Sequence, residues 1–267
     1  MVNLLAAAAI ASATSLATPA MQAAYAAPQP AMFVVRDADT TIYLFGTFHA
    51  LDGHSHWFDT GVRAAFERSG ELVLETLIPE GPVVPSQLGR AFRGPSVTAS
   101  ASFLATTKMA ISAGQSQGMQ VDNGADMVLR RAAELEGKPV AGLETLEFQL
   151  NMFNRMPAGP AAVPTSSASA DTAPMQSLSR SMAEMQSAWK SGNQAVFVRM
   201  LDELRKGSPD TYRMMFTERN ARWADWIAAR MQAPGTVFVA VGAGHLAGKD
   251  SVLVRLAEKG IESKRVD

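Results

Sequence analysis

Two segments at opposite ends of the chain repeat one order of elements, and this repeat constrains the fold more than any other feature. Near the start, the β-forming run TIYLFGT is followed by His49, a helical pattern and the apolar run ELVLET. Near the end, TVFVAV is followed by GAGH, the helical pattern SVLVRLAEK and IESKRV. The order of strand, turn, helix and strand is typical of α/β proteins. We therefore expect a central mixed sheet with flanking helices, made of two pseudo-symmetric halves.

Each half carries a Gly-x-x-His turn at the end of its first strand, at His49 and at His245. If both units are right-handed crossovers in one sheet, the two histidines lie at the edge where open α/β sheets bind ligands. Imidazole nitrogen is a ligand for zinc, manganese, cobalt or iron, and the glycine is expected to let the backbone turn tightly. The alternative for each ring is a loop histidine satisfied by backbone hydrogen bonds. His54 and His56 complete the four histidines and form a second candidate pair, with solvated loop residues as the alternative.

Four further residues are candidates for catalysis. Glu75 and Glu144 end two apolar strands, each within the sequence Leu-Glu-Thr, where a carboxylate could complete a metal site or act as a general base. A helix cap or a salt bridge is the alternative role for either glutamate. Arg219 and Asn220 could position a substrate carbonyl group, although their helix has alternating charges and a solvated face is the alternative.

Composition excludes several classes of protein. Lys and Arg number 24 against 25 Asp and Glu, so the chain lacks the positive field that binds nucleic acid. The absence of cysteine excludes thiolate metal sites and a cysteine nucleophile, so any metal must be held by nitrogen and oxygen. The sequence contains no G-x-S-x-G elbow, Walker loop, dinucleotide fingerprint or H-E-x-x-H helix.

Two segments differ from the rest in composition. Residues 1–26 contain the apolar run LLAAAAIASA and end on AYA, which predicts a signal peptide and an exported, periplasmic or secreted protein. No Lys or Arg precedes the apolar run, so a misassigned start or a disordered Ala-rich tail is the alternative. Ser and Thr interrupt this run, and we expect no stable membrane span after leader removal. Residues 27–267 then form one domain, with a mobile Pro/Ala/Ser-rich loop at 157–174.

The order of the motifs resembles the TraB/GumN family, which includes the Tiki proteins that clip Wnt ligands. The resemblance extends from Phe33 to Val266 and rests on TIYLFGTFH, GADMVLRRAAELEGKPVAGLETLEFQ, ERN and VAVGAGHLAGKDSVLVRLAEKGIESKRV. In that family the two Gly-x-x-His motifs and a strand-end glutamate are taken as a metal-dependent catalytic centre. The resemblance places these roles on His49, His245 and Glu75, and Glu144, Arg219 and Asn220 also match recurrent positions. It implies an α/β fold of two related halves, distantly similar to haem-binding ChaN-like and erythromycin-esterase-like proteins.

These observations predict a metal-dependent hydrolase that acts on a peptide or protein. A divalent ion of Mn, Co or Zn is expected on His49, His245 and Glu75, with Glu75, Glu144, Arg219 and Asn220 as catalytic residues. A non-catalytic ligand- or haem-binding module is one alternative. A metal-independent esterase with His49 or His245 as general base is the other.

Overall fold

The computed structural model describes residues 29–54, 56–58, 61–77, 108–156 and 173–266. Within them lies one six-stranded sheet, which confirms the predicted α/β class and mixed sheet. The strands are β1 Met32–Arg36, β2 Thr40–Thr47, β3 Glu71–Thr76, β4 Val140–Glu144, β5 Gly235–Gly242 and β6 Lys264–Val266. Their spatial order is β4-β3-β5-β2-β1-β6.

Two of the predicted segments fall largely beyond the described residues. The predicted signal peptide at 1–26 lies outside them, as do residues 157–172 of the predicted loop. The last two residues of the predicted loop, Ala173 and Pro174, are described as the start of the helix Ala173–Lys190.

The helices cover both faces of the sheet. Their bounds are α1 Gly61–Arg68, α2 Ala125–Leu135, α3 Leu146–Arg155, α4 Ala173–Lys190, α5 Ala195–Gly207, α6 Pro209–Tyr212, α7 Glu218–Arg230 and α8 Val252–Ala257. Residues 108–115 are also helical, Val121–Asn123 and Ala243–Leu246 form 3-10 turns, and Arg213–Thr217 forms one π-helical turn. In the part of the chain described here, no helix has the length and apolarity needed to cross a membrane.

The neighbouring strands β4, β3, β5 and β2 are parallel, whereas β1 pairs with β2 as an antiparallel hairpin. The apolar runs of β2, β3 and β5 are largely buried, as expected for parallel strands covered by helices on both faces. On one face Phe45 and Phe238 pack with Trp189 of α4 and Phe66 of α1. On the other face the strand valines pack with the helices α7 and α8.

Two crossover connections leave neighbouring strands in opposite directions. The chain passes from β2 through α1 to β3, beyond β5, whereas it passes from β5 through α8 to β6, beyond β2 and β1. Two crossovers of the same hand that run in opposite directions place their helices on opposite faces, and α1 and α8 do lie on opposite faces. The crevice at the carboxyl ends of β2 and β5 is therefore a topological switch point, where ligands bind in open α/β sheets. The two crossovers pass different numbers of strands and so are not equivalent in the sheet. A pseudo-twofold axis that relates the two halves stays a prediction.

Candidate functional site

His49 follows β2 and His245 follows β5, so the switch point brings both predicted histidines to one place. Gly242, the last residue of β5, marks the point that they share. An ideal Cβ at Gly242 would lie 3.1 Å from Glu75 Oε1, 3.4 Å from His49 Nε2 and 3.7 Å from His245 Cδ2. Three residues that the sequence singled out thus surround one small space at the sheet edge.

The two glycines of the Gly-x-x-His motifs allow close packing and do not adopt a tight-turn conformation. The tight turn expected from the sequence was therefore the wrong reason for their presence. Gly242 has φ −51° and ψ 136°, which any residue can adopt. Gly46 lies inside β2, and a Cβ there would be 3.1 Å from the Cα of Ala243. Neither glycine has a positive φ. Their missing side chains let the two histidine segments approach each other.

The orientation of the His245 ring is fixed by hydrogen bonds. Nδ1 lies 2.6 Å from Asn220 Oδ1, while Asn220 Nδ2 donates to the carbonyl oxygen of Asp250 at 2.7 Å. Because that second bond assigns the amide nitrogen, Asn220 Oδ1 is the acceptor and His245 Nδ1 carries the proton. The bare Nε2 therefore faces the site. The rings of Phe216 and Trp223 hold the imidazole from two sides, with centroids 4.8 and 4.4 Å away.

His245 is neutral at physiological pH. Burial lowers the pKa of this imidazole to about 3. The positive charges of Arg219 and His49 also lower it, whereas the negative charge of Glu75 raises it. A neutral ring with a fixed tautomer offers a lone pair on Nε2 to a metal ion or a proton.

His49 is held differently, at the mouth of the site. Its Nδ1 lies 3.2 Å from Asp126 Oδ1, and 61% of its side chain is exposed to the cleft. Loss of solvation within the cleft opposes protonation of the ring, but the neighbouring carboxylates of Asp126 and Glu75 outweigh it and raise the pKa of His49 to about 9. The start of α2 reaches this segment because Gly124 has no side chain: a Cβ there would be 2.4 Å from the His49 carbonyl oxygen.

Glu75 is an ionised carboxylate with both oxygens engaged. The Gly242 amide donates to Oε1 at 2.6 Å, and Arg219 Nη2 donates to Oε2 at 2.9 Å. Burial would raise the pKa of Glu75, but the imidazole of His245, the guanidinium of Arg219, His49 and the Gly242 amide lower it to about 2.

Arg219 lies at the centre of the site with all five of its N–H groups engaged. Nε and Nη2 donate to Glu144 at 3.0 and 2.9 Å, and Nη2 also donates to Glu75. Nη1 lies 3.3 Å from both the Met215 carbonyl oxygen and His245 Nε2. Glu144 is saturated as well, because Trp223 Nε1 donates to it at 3.1 Å. Of the roles considered for Glu144, that of a salt-bridge partner, here of Arg219, matches the observed geometry.

The solvated face suggested for Arg219 and Asn220 is wrong, since these residues are only 4% and 1% exposed. The second candidate pair, His54 and His56, is exposed and is not among the described residues that line the cleft. Asp126, which orients His49, was not identified from the sequence. Asp126 lies in the first turn of α2, where an acidic residue is common because it interacts favourably with the helix dipole. Its position in the sequence therefore did not indicate a role in the site.

The site opens into a cleft of about 740 Å³ on the α4 and α5 side of the sheet. This volume lies in the range of small-molecule and cofactor sites. The charged groups at its base are those already described, and most of its remaining described lining is apolar.

The donor types at the switch point fit a divalent metal ion. His245 Nδ1 is hydrogen-bonded to Asn220, and His49 Nδ1 faces the Asp126 carboxylate at 3.2 Å. Both rings direct Nε2 inward, which is the usual orientation of metal-ligating histidines, and Glu75 supplies a carboxylate. As they stand, no three His, Asp or Glu side chains among the described residues are grouped closely enough to hold an ion. Arg219 takes up the lone pairs of Glu75 and His245 instead. Binding of an ion therefore requires these side chains to move relative to Arg219.

Comparison with known proteins identifies one family. The model of the TraB/PrgY/gumN family matches residues 31–91 and 99–265, which is most of the chain. No curated protein and no solved structure gives a significant match.

Proposed function

Because the chain belongs to the TraB/PrgY/gumN family, we propose that it is a hydrolase that cleaves peptide bonds with the help of a divalent metal ion. The observation that supports this most is the convergence of His49, His245 and Glu75 around the space above Gly242, beside a large cleft. Two histidines and one glutamate form the ligand set of several zinc hydrolases. The proposal includes the pseudo-symmetry of the two halves, each of which contributes one histidine to this space.

His49, His245 and Glu75 would hold the ion, for which Mn, Co and Zn are the candidates. When bound, such an ion acts as a Lewis acid toward the carbonyl group of the substrate. The missing side chain at Gly242 lets these three residues approach one point, and the reacting group of the substrate would reach that point from the cleft.

The surrounding residues act through these three. Asn220 fixes the tautomer of His245, so that its Nε2 stays unprotonated. Arg219 orients the Glu75 carboxylate and has no N–H group left for a substrate, so we assign it a positioning role. Glu144 holds Arg219 in turn.

Metal titration combined with peptide hydrolysis tests the proposal. The chain is stripped with a chelator, titrated with Mn²⁺, Co²⁺ and Zn²⁺ by calorimetry, and incubated with a library of fluorescence-quenched peptides. We expect stoichiometric binding and metal-dependent cleavage, both lost in His49→Ala, His245→Ala and Glu75→Gln. His54→Ala is the matched control, because this exposed histidine lies outside the described lining of the cleft. A wild-type chain that binds none of the three ions at millimolar concentration contradicts the metal-dependent mechanism.

Metal-independent hydrolysis is a second candidate, and one observation favours it. Arg219 already places a positive charge 3.3 Å from His245 Nε2 and beside Glu75. In this mechanism the general base is His245, whose Nε2 is unprotonated, or His49 once it has lost its proton. Cleavage that persists at full rate in the chelator would support it. Peptide binding without cleavage in every sample would instead indicate a non-catalytic binding module, and a haem titration without a Soret shift would exclude haem as its ligand.

A further inference from the structure

Methionine is concentrated in the wall of the cleft. Six of the 30 described residues that line it are methionine, whereas the whole chain has 15 in 267 residues. They are Met119, Met127, Met182, Met185, Met200 and Met215. Such a concentration calls for an explanation at the binding site itself.

These methionines come from several separate elements of the fold. Met182 and Met185 are three residues apart on one face of α4, and Met200 comes from α5. Met127 comes from α2, and Met215 comes from the π-helical turn. All five are half-buried, so part of each side chain faces open space. Burying that surface under a ligand is favourable.

A methionine wall changes shape more easily than a wall of other apolar residues. The side chain is unbranched, has three rotatable bonds and ends in a polarisable thioether. A β-branched residue at the same place would be restricted to few rotamers. Flexible, methionine-rich surfaces are typical of sites that accept several partners.

The cleft has charged groups at the sheet edge and continues into a second hollow. Its charged groups lie mainly at the sheet edge, and Arg130 in its wall pairs with Glu134 at 2.7 Å. A second hollow of about 390 Å³ shares Gln115, Met119 and Val121 with it. Val121 is 47% exposed, and Gln120 and Asp122 also line this hollow, so the continuation is open and partly polar. An elongated ligand fits this path better than a compact one.

We infer that the cleft binds an extended, unfolded peptide segment through its large apolar side chains, and that it selects for apolar volume rather than for one sequence. The assignment of the ligand as a peptide rests on the proposed function. Binding itself requires neither a metal ion nor cleavage, so the two can be tested apart.

Binding is measured by fluorescence anisotropy on the full chain in the presence of a chelator, with dye-labelled peptides of one length. Peptides whose central residues are Leu, Met or Phe are expected to bind within about threefold of one another. Their Ser and Asp counterparts are expected to bind at least about tenfold more weakly, since each buried methylene contributes about fourfold. A dye-labelled fatty acid of similar length serves as the competing class of ligand.

Variants test the wall directly. The double variant Met182→Gln with Met185→Gln keeps side-chain length but adds polarity, and we expect it to weaken binding of the Leu peptide about tenfold. Met182→Leu with Met185→Leu should retain the Leu peptide but lose part of the tolerance for Phe. Met214→Gln is the matched control, because Met214 neighbours Met215 but is not among the described residues that line the cleft. Thermal denaturation of each variant shows whether it is folded.

Each outcome decides the inference separately from the proposed function. Tight binding of one peptide sequence alone, equal binding of the Ser peptides, tighter binding of the fatty acid, or no effect of the folded Gln double variant would each overturn it. Apolar peptide binding without any hydrolysis would support it while the proposed function fails.

Discussion

Gly242→Ala is the most direct perturbation of the site, because the backbone there accepts any residue while the space around it does not. With φ −51° and ψ 136°, alanine is unstrained at this position. The new Cβ would lie 3.1 Å from Glu75 Oε1 and 3.4 Å from His49 Nε2, so these side chains must move by a few tenths of an ångström.

The expected change in stability is small. Replacing Gly by Ala at a compatible position stabilises a protein by about 0.4–1 kcal/mol through the unfolded state. Displacing Glu75 offsets a similar amount, so the free energy of unfolding should change by less than about 1 kcal/mol. For a domain of this size that corresponds to a melting temperature within about 4 °C of the wild type.

The expected change in function is large. A displaced ligand or filled reaction space should reduce metal affinity and peptide hydrolysis about 10- to 100-fold, as seen when the surroundings of metal ligands are changed. Calorimetry with Mn²⁺ and the quenched-peptide assay measure the two effects. Gly207→Ala is the matched control, since a Cβ at the end of α5 meets nothing within 4 Å. A folded Gly242→Ala protein with wild-type affinity and hydrolysis would refute the assignment of this space as the reaction site.

Four further predictions concern the charges. Asp126→Asn should move the titration of His49 from about pH 9 toward the ordinary value of 6.5, and NMR of the four histidine rings measures this. Glu144→Ala should destabilise the chain by about 3–5 kcal/mol in urea denaturation, because it leaves a buried guanidinium without its main partner. Glu184→Ala removes an exposed ion pair and should cost less than about 1 kcal/mol. Because the pKa of His245 is lowered, its contribution to the free energy of unfolding should be complete above pH 6.5 and be lost as the pH falls to about 3. A variant with an uncharged residue in place of His245 should lose less stability over this pH range, and an unchanged loss would contradict the prediction.

The strands were predictable because their apolar runs are bounded by polar or turn residues. β3 occupies the predicted ELVLET from Glu71 to Thr76. The first helix was less predictable: helical apolar spacing extends from Phe58 to Arg68, whereas Phe58 is not helical and the structure describes the helix over Gly61–Arg68. Trp57 stacks on Phe45 with ring centroids 5.4 Å apart, so this aromatic pair packs against the sheet ahead of the helix.

The site was predictable in its sheet-edge residues and not in its buried network. A strand end followed by a motif histidine indicates where His49 and His245 lie, because sheet topology brings such ends together. The burial of Arg219 depends on Glu144, which is 75 residues away in the sequence. The charge pattern of α7 alone does not reveal that partner, and for this reason the pattern favoured a solvated face.

The position of β5 has a consequence for how the protein is made. This strand pairs with β2 on one side and β3 on the other, and it is the link that joins them in the sheet. Until the ribosome has released Gly242, the earlier strands have no common neighbour, and His49 and Glu75 lack the third member of their group. A nascent chain is thus unable to assemble the site, and any hydrolytic capacity stays latent until β5 has been synthesised. Chains truncated before β5 should fail to form this sheet and to bind metal.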